Sequence, residues 1–311
     1  MLVAIDDLGN RLTTLDNLPK TGIYYCPVCK GQVTLKRGKV KQAHFAHKNL
    51  LNCPNSSLNE STEHLLLKAK LYQNLKKSEE VTIETFFPSI NQIADLQVNH
   101  KLVLEVQCSS LPPDRLVERT KNYRDNDQYI IWLLGKNLWI KHKLSYLQKQ
   151  FLSFSWSIGF YLWEIDLEKN CLRLCYMIHE DIMGKVTCLT RTCPLDGNLM
   201  SFFRMPFQKM NLEPIKVKSD SHLLQKIQKA LKYRNKYWML RQEKAYQMGI
   251  NLLCLSVEDF YPQYNPPKCE QGFCLIESDL KPFYDAFEAY NKEISNKDVQ
   301  TLHPPSFYVK I

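Results

Sequence analysis

The sequence predicts an α/β protein, and three observations lead to this class. Apolar side chains make up 44% of the 311 residues, which is enough to bury a substantial core. Between residues 58 and 134 the spacing of apolar residues predicts, in this order, a helix, three strands, a helix and a strand. The last strand, Tyr129–Leu134, is apolar throughout, and the helix before it predicts a right-handed crossover between parallel strands.

Short signals along the chain predict the individual elements of this segment. Ser57 followed three residues later by Glu60 is typical of a capping box, so we expect a helix over about 58–77. Pro113 is a favoured first residue for a second helix, expected over about 113–125. Strands are expected near Val81–Thr85, Gln92–Val98 and Leu102–Cys108.

Three structural units are expected along the chain. Residues 1–57 form a β-rich unit that holds a cluster of cysteines and histidines, and residues 58–150 form the α/β domain. Residues 151–311 form a C-terminal α+β domain, which begins with a hairpin and becomes largely helical after Asp220. Short strands of the first unit are expected at Tyr24–Tyr25, Gln32–Lys36 and Val40–Phe45.

The charge and cysteine content limit the environment of the protein. The formal net charge is +9, which favours a polyanionic partner or an anionic membrane surface. The longest uncharged stretch, Gln150–Trp163, is too short for a spanning helix, and the N-terminus lacks the features of a signal peptide. We therefore expect a cytoplasmic protein without a membrane, in which the 11 cysteines stay reduced.

The N-terminal unit carries the spacing of a structural zinc site. Cys26 and Cys29 form a CxxC pair that can occupy two corners of a tetrahedron. His44, His47 and Cys53 are three candidates for the remaining two corners. The favoured set is Cys26, Cys29, His47 and Cys53, with His44 as the alternate ligand. Four protein ligands close the coordination shell, so the Zn²⁺ is structural. The alternative is a set of ordinary buried cysteines with a surface histidine pair.

A second group of residues, suited to binding a divalent metal ion, lies on the hairpin that the second and third strands of the α/β domain form. Glu105 and Gln107 leave the same face of one strand. Asp95 faces the same way if the connection holds three residues, and the opposite way if it holds two. Two carboxylates on one face suit Mg²⁺ or Mn²⁺, which can activate water against a phosphodiester. The alternative is that both acids face solvent.

Motifs in a consistent order over about the first 140 residues resemble one known family. They are Cys26-x2-Cys29, His44-x2-His47, Glu60-x2-Glu63-His64 with Lys68, Asp95, Glu105-x-Gln107 and Arg119-x3-Tyr123. The array closely resembles the competence protein CoiA family, and residues 151–311 look like its divergent C-terminal part. The resemblance implies a role on incoming DNA in natural transformation and recombination. It implies a restriction-endonuclease-like (PD-(D/E)XK) core, beside the small zinc-binding unit and the mixed, largely helical C-terminal domain.

The resemblance also implies roles for individual residues. Asp95 and Glu105 match the metal-binding acids, and Gln107 stands where the general pattern has a lysine. Glutamine can orient water but carries no charge. Glu63 resembles an additional acid of some superfamily members. Arg119 and Tyr123 resemble an element that lies near the DNA backbone.

Further DNA contacts are expected from a basic region at residues 216–244. Its candidate contacts are Lys226, Lys229, Lys232, Arg234 and Lys236, with Tyr233, Tyr237 and Trp238 placed to stack on unpaired bases. Lys68 is another candidate, although it and His64 could equally serve as helix-surface or capping residues. Cations of the zinc unit could also touch DNA, namely Lys36, Arg37, Lys39 and Lys41.

Two functions follow from these expectations. The first is a Mg²⁺- or Mn²⁺-dependent nuclease acting on single-stranded or branched DNA, with recombination proteins as further partners. The second is a DNA-binding recombination adaptor that keeps the fold without catalysis, which Gln107 supports. An RNA-directed nuclease is a third, weaker option.

Overall fold

The computed structural model describes residues 1–16, 22–38, 42–49, 53 and 60–309. The strands are β1 (Val3–Ile5), β2 (Arg11–Thr13), β3 (Tyr24–Tyr25), β4 (Gln32–Lys36), β5 (His44–His47), β6 (Val81–Phe87), β7 (Gln92–Val98), β8 (Leu102–Gln107), β9 (Tyr129–Leu134), β10 (Ser153–Ser155), β11 (Gly159–Asp166), β12 (Cys171–Asp181), β13 (Val186–Pro194), β14 (Ile215–Lys218), β15 (Tyr264–Asn265) and β16 (Val299–Leu302). The helices are α1 (Thr62–Leu75), α2 (Pro113–Asp125), α3 (Tyr146–Gln150), α4 (Leu199–Arg204), α5 (Leu223–Lys232), α6 (Lys236–Gln247), α7 (Lys281–Lys292) and α8 (Pro305–Tyr308). None of these helices is both long and apolar enough to cross a membrane.

The N-terminal sheet, β1–β5, is a separate five-stranded antiparallel sheet in the order β2-β1-β3-β4-β5. Its small core includes Tyr24, Val33 and Phe45 together with two of the cysteines, Cys26 and Cys53. The strands expected from the sequence are present, and the last of them covers His44–His47. The first two residues of the expected strand Val40–Phe45 lie outside the described residues. Such a small core is typical of units that need a metal or disulfide for stability.

The α/β segment has the expected order of elements, α1-β6-β7-β8-α2-β9. Helix α2 and strand β9 have the expected bounds, and β8 and β9 pair in parallel. Helix α1 begins later than expected, because Ser61 caps it by accepting a hydrogen bond from the His64 amide. The expected capping residue, Ser57, lies outside the described residues.

The main sheet continues past the expected domain boundary at residue 150. Its strand order is β13-β12-β11-β9-β8-β7-β6, with β10 beside β11 and β15 beside β12. Strand β11 pairs in parallel with β9, and all eight of its residues are buried. The physical reason is that β9 has a second open edge, which β11 covers. The expected hairpin at the start of the C-terminal region is confirmed as β11–β12, but it belongs to the same sheet.

The two faces of the main sheet carry different helices. Helix α1 packs on one face, where Leu65 and Leu71 contact a core that includes Leu104 and Val106 of β8. Helix α2 packs on the other face, where Tyr123 contacts Val103. Because neighbouring residues of β8 point to opposite faces, even-numbered positions face α1 and odd-numbered positions face α2.

The basic region of the C-terminal part is only partly helical. It begins with strand β14, which pairs with β16, and continues through helices α5 and α6. These two helices share a small core that includes Leu223, Ile227 and Trp238. The described region 216–244 therefore presents its cations from one strand and two helices.

Candidate functional site

Four residues of the N-terminal sheet bring their ligand atoms together, and we call them the cysteine cluster. They are Cys26, Cys29, His47 and Cys53, and their donor atoms all lie within 4.8 Å of one another. The turn after β3 places the first two, since the Cys26 amide donates to the Gly31 carbonyl at 2.8 Å.

The cysteine cluster has the chemistry of a metal site. Burial lowers the pKa of His47, which keeps its imidazole neutral and able to donate a lone pair. Although burial alone would raise it, the pKa of Cys29 is lowered by the Gly31 amide and by Cys53 and Cys26. The His47 Nε2 atom lies 3.5 Å from the Cys29 Sγ. The alternate ligand, His44, lies outside the cluster, with its Nδ1 2.9 Å from the Gln42 carbonyl.

The hairpin β7–β8 has the register needed to place Asp95 opposite Glu105. Leu96 pairs with Leu104 and Val98 with Leu102, so the connection holds three residues. Beyond the Leu96–Leu104 pair the backbone pairing of the two strands ends. There the Val106 amide donates to the Asp95 Oδ2 at 2.9 Å instead of to a backbone carbonyl. A carboxylate thus replaces a backbone carbonyl at this point of the sheet.

Asp95 belongs to a buried group of charges that we call the carboxylate cluster: Glu60, Glu84, Asp95, His64 and Lys68. The Lys68 ammonium forms ion pairs with all three acids, including Glu84 at 2.8 Å and Asp95 at 3.4 Å. The His64 ring joins two of the acids, with Nδ1 3.2 Å from Glu60 and Nε2 3.0 Å from Asp95.

The pKa values in the carboxylate cluster show that its charges compensate one another. Burial opposes ionisation, but the charges of His64 and Lys68 outweigh it and lower the pKa of Asp95 to about 2. Burial likewise opposes the protonated imidazole, yet Asp95 and Glu60 raise the pKa of His64 to about 9. Both ring nitrogens of this imidazolium therefore carry protons.

The carboxylate cluster also corrects the expectation that Lys68 contacts DNA. Its side chain is 1% exposed and lies beneath α1 among three carboxylates. A lysine is buried in this way only when acids pair with it, because an unpaired charge in the protein interior is very costly. Lys68 is therefore a counterion of the core.

Glu105 is held by helix α2 on the other face of the sheet. Its Oε1 accepts hydrogen bonds from the Tyr123 hydroxyl at 2.6 Å and from Arg119. Burial raises the pKa of Glu105, and the charge of Asp95 adds to this rise against the opposing effect of Arg119. Tyr123 is fully buried, and the Arg119 guanidinium also donates to the Ile93 carbonyl at 3.2 Å. Both side chains therefore order Glu105. The burial of Tyr123 corrects the expectation that it contacts DNA, whereas DNA contact by the partly exposed Arg119 stays a prediction.

Asp95 and Glu105 do not lie on a common face of the hairpin, which corrects the expectation from the sequence. Alternation along β7 breaks at Asp95, because Ala94 packs with Tyr123 on the α2 face while Leu96 packs on the α1 face. The Asp95 carboxylate consequently turns towards α1, whereas Glu105 turns towards α2. Within the described part of the chain, no group of three or more metal-donor residues within 4.8 Å includes Glu105.

Two further expected residues lie near the end of the hairpin ladder. Gln107 is half-buried and donates to the Ser109 carbonyl at 2.6 Å. Burial raises the pKa of Cys108 to about 12, and the negative charges of Glu63 and Asp95 add to the rise. Glu63, in the first turn of α1, is therefore near enough for its charge to act on Cys108. Sequence reasoning missed Glu84, because nothing in its strand pattern distinguishes a buried glutamate from an exposed one.

The basic helices expose most of the expected DNA contacts. Lys229, Lys232, Arg234 and Lys236 are exposed, and so are the Tyr233 and Tyr237 rings. The other two members of this surface differ from expectation. Trp238 is 2% exposed and packs in the core of α5 and α6, so it cannot stack on bases. Lys226 is exposed but pairs with Asp220 at 2.5 Å.

Cations of the N-terminal sheet give little additional support for DNA contact. Lys36 is exposed at the end of β4, as is Arg37. Lys39 and Lys41 lie outside the described residues.

Comparison with known proteins places both sites within matched regions. Residues 9–56 match the family model described as "Competence protein CoiA, N-terminal domain", and residues 60–197 match "Competence protein CoiA, nuclease-like domain". The chain is 34% identical over 116 residues to the competence protein CoiA of Bacillus subtilis (strain 168). This match covers 36% of the chain and 31% of the relative, so the chain spans about a third of that relative's length. No solved structure matches the chain.

Proposed function

Because the chain belongs to the competence protein CoiA family and carries its nuclease-like domain, we propose that it hydrolyses phosphodiester bonds of DNA with a divalent metal ion. The observation that supports this most directly is the register of the β7–β8 hairpin, because a three-residue connection brings position 95 opposite position 105 where the ladder ends. Ionised carboxylates on adjacent strands are the oxygen donors that Mg²⁺ and Mn²⁺ prefer.

The residues around the end of the hairpin ladder fit such an ion. Glu105 uses only Oε1 for its hydrogen bonds, and neither its Oε2 nor the Glu63 carboxylate has a hydrogen-bond partner among the described residues. Asp95 and Glu105 would hold the ion, with Glu63 as an additional acid. Their carboxylates turn to different faces, so ion binding requires them to rotate towards each other at the end of the hairpin ladder. The bound ion supplies polarisation of the phosphodiester and activation of water.

Side chains of this protein then divide the remaining tasks. His64 and Lys68 keep Asp95 ionised, and Arg119 and Tyr123 hold Glu105 in place. The Gln107 amide is a hydrogen-bond donor and acceptor that can orient a water molecule. It brings no positive charge, so it stabilises developing negative charge less than a lysine would.

The remaining parts of the molecule support DNA binding in this proposal. The cysteine cluster holds a structural Zn²⁺, since three thiols and one neutral imidazole form a closed tetrahedral donor set. The exposed cations of α5 and α6 contact phosphates, while Tyr233 and Tyr237 stack on unpaired bases. Single-stranded or branched DNA is the substrate that such a surface favours.

A second candidate function is a DNA-binding recombination adaptor without catalysis. The specific observation in its favour is that Asp95 already pairs with His64 and Lys68, and Glu105 with Arg119. A divalent ion must compete with these cations. The absence of a lysine at position 107 points the same way.

Cleavage assays distinguish the two candidates. Purified protein is incubated with single-stranded, duplex and branched DNA in Mg²⁺, in Mn²⁺ and in EDTA. The nuclease predicts metal-dependent cutting that is lost in Asp95→Asn and in Glu105→Gln, with DNA affinity preserved. Asp127→Asn, an exposed acid elsewhere in the domain, is the matched control and should cut normally. Binding without cutting in every metal would contradict the nuclease and support the adaptor.

A further inference from the structure

Glu84 links the N-terminal sheet to the main sheet through its side chain. It lies in β6 with φ of 51°, a conformation that residues other than glycine rarely adopt. Its carboxylate accepts hydrogen bonds from the Leu2 amide at 2.7 Å and from the Val3 amide at 3.0 Å. These donors belong to β1 and the residue before it. The unusual backbone is thus associated with a contact between the two sheets.

The same carboxylate continues the connection towards Asp95. Glu84 Oε1 lies 2.8 Å from the Lys68 ammonium, which in turn lies 3.4 Å from Asp95 Oδ1. Glu84 is 6% exposed and Lys68 is 1% exposed, so water does not screen these contacts. A change at one end of this chain of contacts must therefore be accommodated by the other members.

Strand β1 is also tied to the cysteine cluster. Ile5 pairs with Tyr25, the residue directly before Cys26. Phe45, on the strand that carries His47, donates its amide to the Met1 carbonyl at 2.8 Å. The position of β1 therefore depends on the two strands that carry ligands of the cysteine cluster.

We propose that Glu84 and Lys68 are positioning residues, which couple the metal-binding N-terminal sheet to the orientation of Asp95. An ordered cysteine cluster holds β1 in place, and the β1 amides hold the Glu84 carboxylate. Glu84 then directs Lys68, and Lys68 directs Asp95. The consequence for catalysis rests on the proposed nuclease function, whereas the coupling itself does not.

The Val106 amide reports on this coupling without any catalytic metal, because it donates to Asp95 Oδ2. Its hydrogen-exchange rate is measured by NMR and divided by the mean rate of the β9 amides, which corrects for global stability. In Glu84→Gln we expect this ratio to rise about tenfold, which corresponds to weakening one buried hydrogen bond to a charged group. Cys29→Ser, which removes a cluster ligand, should raise the ratio similarly.

The double variant provides the decisive comparison. If one pathway connects both positions, Cys29→Ser should change the ratio little once Glu84→Gln is present. Asp16→Asn is the matched control, since Asp16 also joins the N-terminal unit to α1, through Tyr72 and Lys76, without contacting the carboxylate cluster. It should leave the ratio unchanged.

Any of three results would overturn the coupling. The first two are an unchanged ratio in Glu84→Gln and an unchanged ratio in Cys29→Ser. The third is a double variant whose ratio rises by the product of the two single effects. If Glu84→Gln does not fold, Lys68→Met and chelation of the wild-type protein provide the same measurement, and an unchanged ratio in both contradicts the proposal. Failure of the nuclease proposal is detected separately, as binding without cleavage in a protein whose Val106 ratio responds as expected.

Discussion

The cysteine cluster and the carboxylate cluster are both compact groups of metal-donor side chains, but their charges differ. In the cysteine cluster the donor atoms contact one another, and the pKa of His47 is lowered by burial. In the carboxylate cluster the acids contact a lysine and a histidine whose pKa is raised to about 9 by Asp95 and Glu60 against the effect of burial. One histidine has a lone pair to offer, and the other does not.

Converging donor atoms do not by themselves define a metal site. Glu60, His64 and Asp95 also have donor atoms within 4.8 Å of one another, yet Lys68 and the imidazolium already supply the positive charge there. For this reason we propose the catalytic ion at the end of the hairpin ladder, near Asp95 and Glu105, rather than among Glu60, His64 and Asp95. The cysteine cluster, by contrast, has four donor atoms that together can bind one metal ion.

The largest expected effect comes from metal removal, to which the two clusters should respond differently. A chelator that extracts Zn²⁺ should unfold the N-terminal sheet, because structural zinc contributes on the order of 10 kcal/mol to small metal-binding units. Hydrogen exchange should accelerate throughout β1–β5, while the β9 amides stay protected. Cys29→Ser should behave like the chelated protein, and Cys254→Ser, at an exposed cysteine, like the untreated one. Equal protection of β1–β5 with and without chelator would contradict a structural zinc.

The next effect concerns the counterion of the carboxylate cluster. Lys68→Met should lower the free energy of unfolding by about 3–5 kcal/mol, because it leaves three buried carboxylates without their shared cation. Urea unfolding followed by circular dichroism measures this loss. Lys77→Met, at an exposed position just after α1, is the control and should cost little. A loss below about 1 kcal/mol in Lys68→Met would show that the charges are compensated by other means.

A third histidine extends the comparison to a buried ring that has no acid partner within the described part of the chain. His179 is 4% exposed, and burial lowers its pKa to about 4, below the ordinary value of 6.5. Protonation therefore favours the unfolded chain, so stability should be full above pH 6.5 and fall as the pH drops towards 4. The contribution reaches about 3 kcal/mol. The stability difference between wild type and His179→Asn, measured by urea unfolding, should shift in favour of the variant by this amount between pH 7 and pH 4. An unchanged difference between pH 7 and pH 4 would contradict this account of the buried ring.

The smallest expected effect contrasts paired and unpaired cations on one helix. Lys229 is exposed with no ion pair among the described residues, whereas Lys226 pairs with Asp220. Lys229→Gln should weaken single-stranded DNA binding a few-fold and reduce the slope of log K against log salt by about 0.7. Lys226→Gln should change the slope less. Fluorescence anisotropy at several salt concentrations measures both, and identical slopes in the two variants and wild type would exclude α5 from the DNA interface.

Several features of the fold and the sites were predictable because their causes are local. Hydrophobic spacing and Pro113 indicate α2, and the apolar run from Tyr129 indicates β9. The CxxC spacing identifies two members of the cysteine cluster, because a tight turn brings such residues together. The three-residue connection of the β7–β8 hairpin was one of two lengths that the sequence allowed.

Other features depend on contacts between distant segments, and these were missed. The sheet continues past residue 150 because β11 covers the open edge of β9, which the sequence pattern does not encode. Tyr123 was expected at the DNA backbone and instead donates to Glu105 from a buried position. Lys68 was expected on the surface, because the helical pattern did not reveal that its position faces three acids.

The sequence alone determined the order of the elements and the short-range spacing of possible ligands, because periodicity and turn formation act over a few neighbouring residues. Which charges meet depends instead on how distant segments pack. Residues 68, 84 and 95 lie on α1, β6 and β7, and the ionisation of Lys68 and Asp95 depends on the burial and the charges that meet when these elements pack together. The state of Asp95 is therefore a property of the packed protein, because the free energy of a buried charge depends on every neighbour that replaces its water.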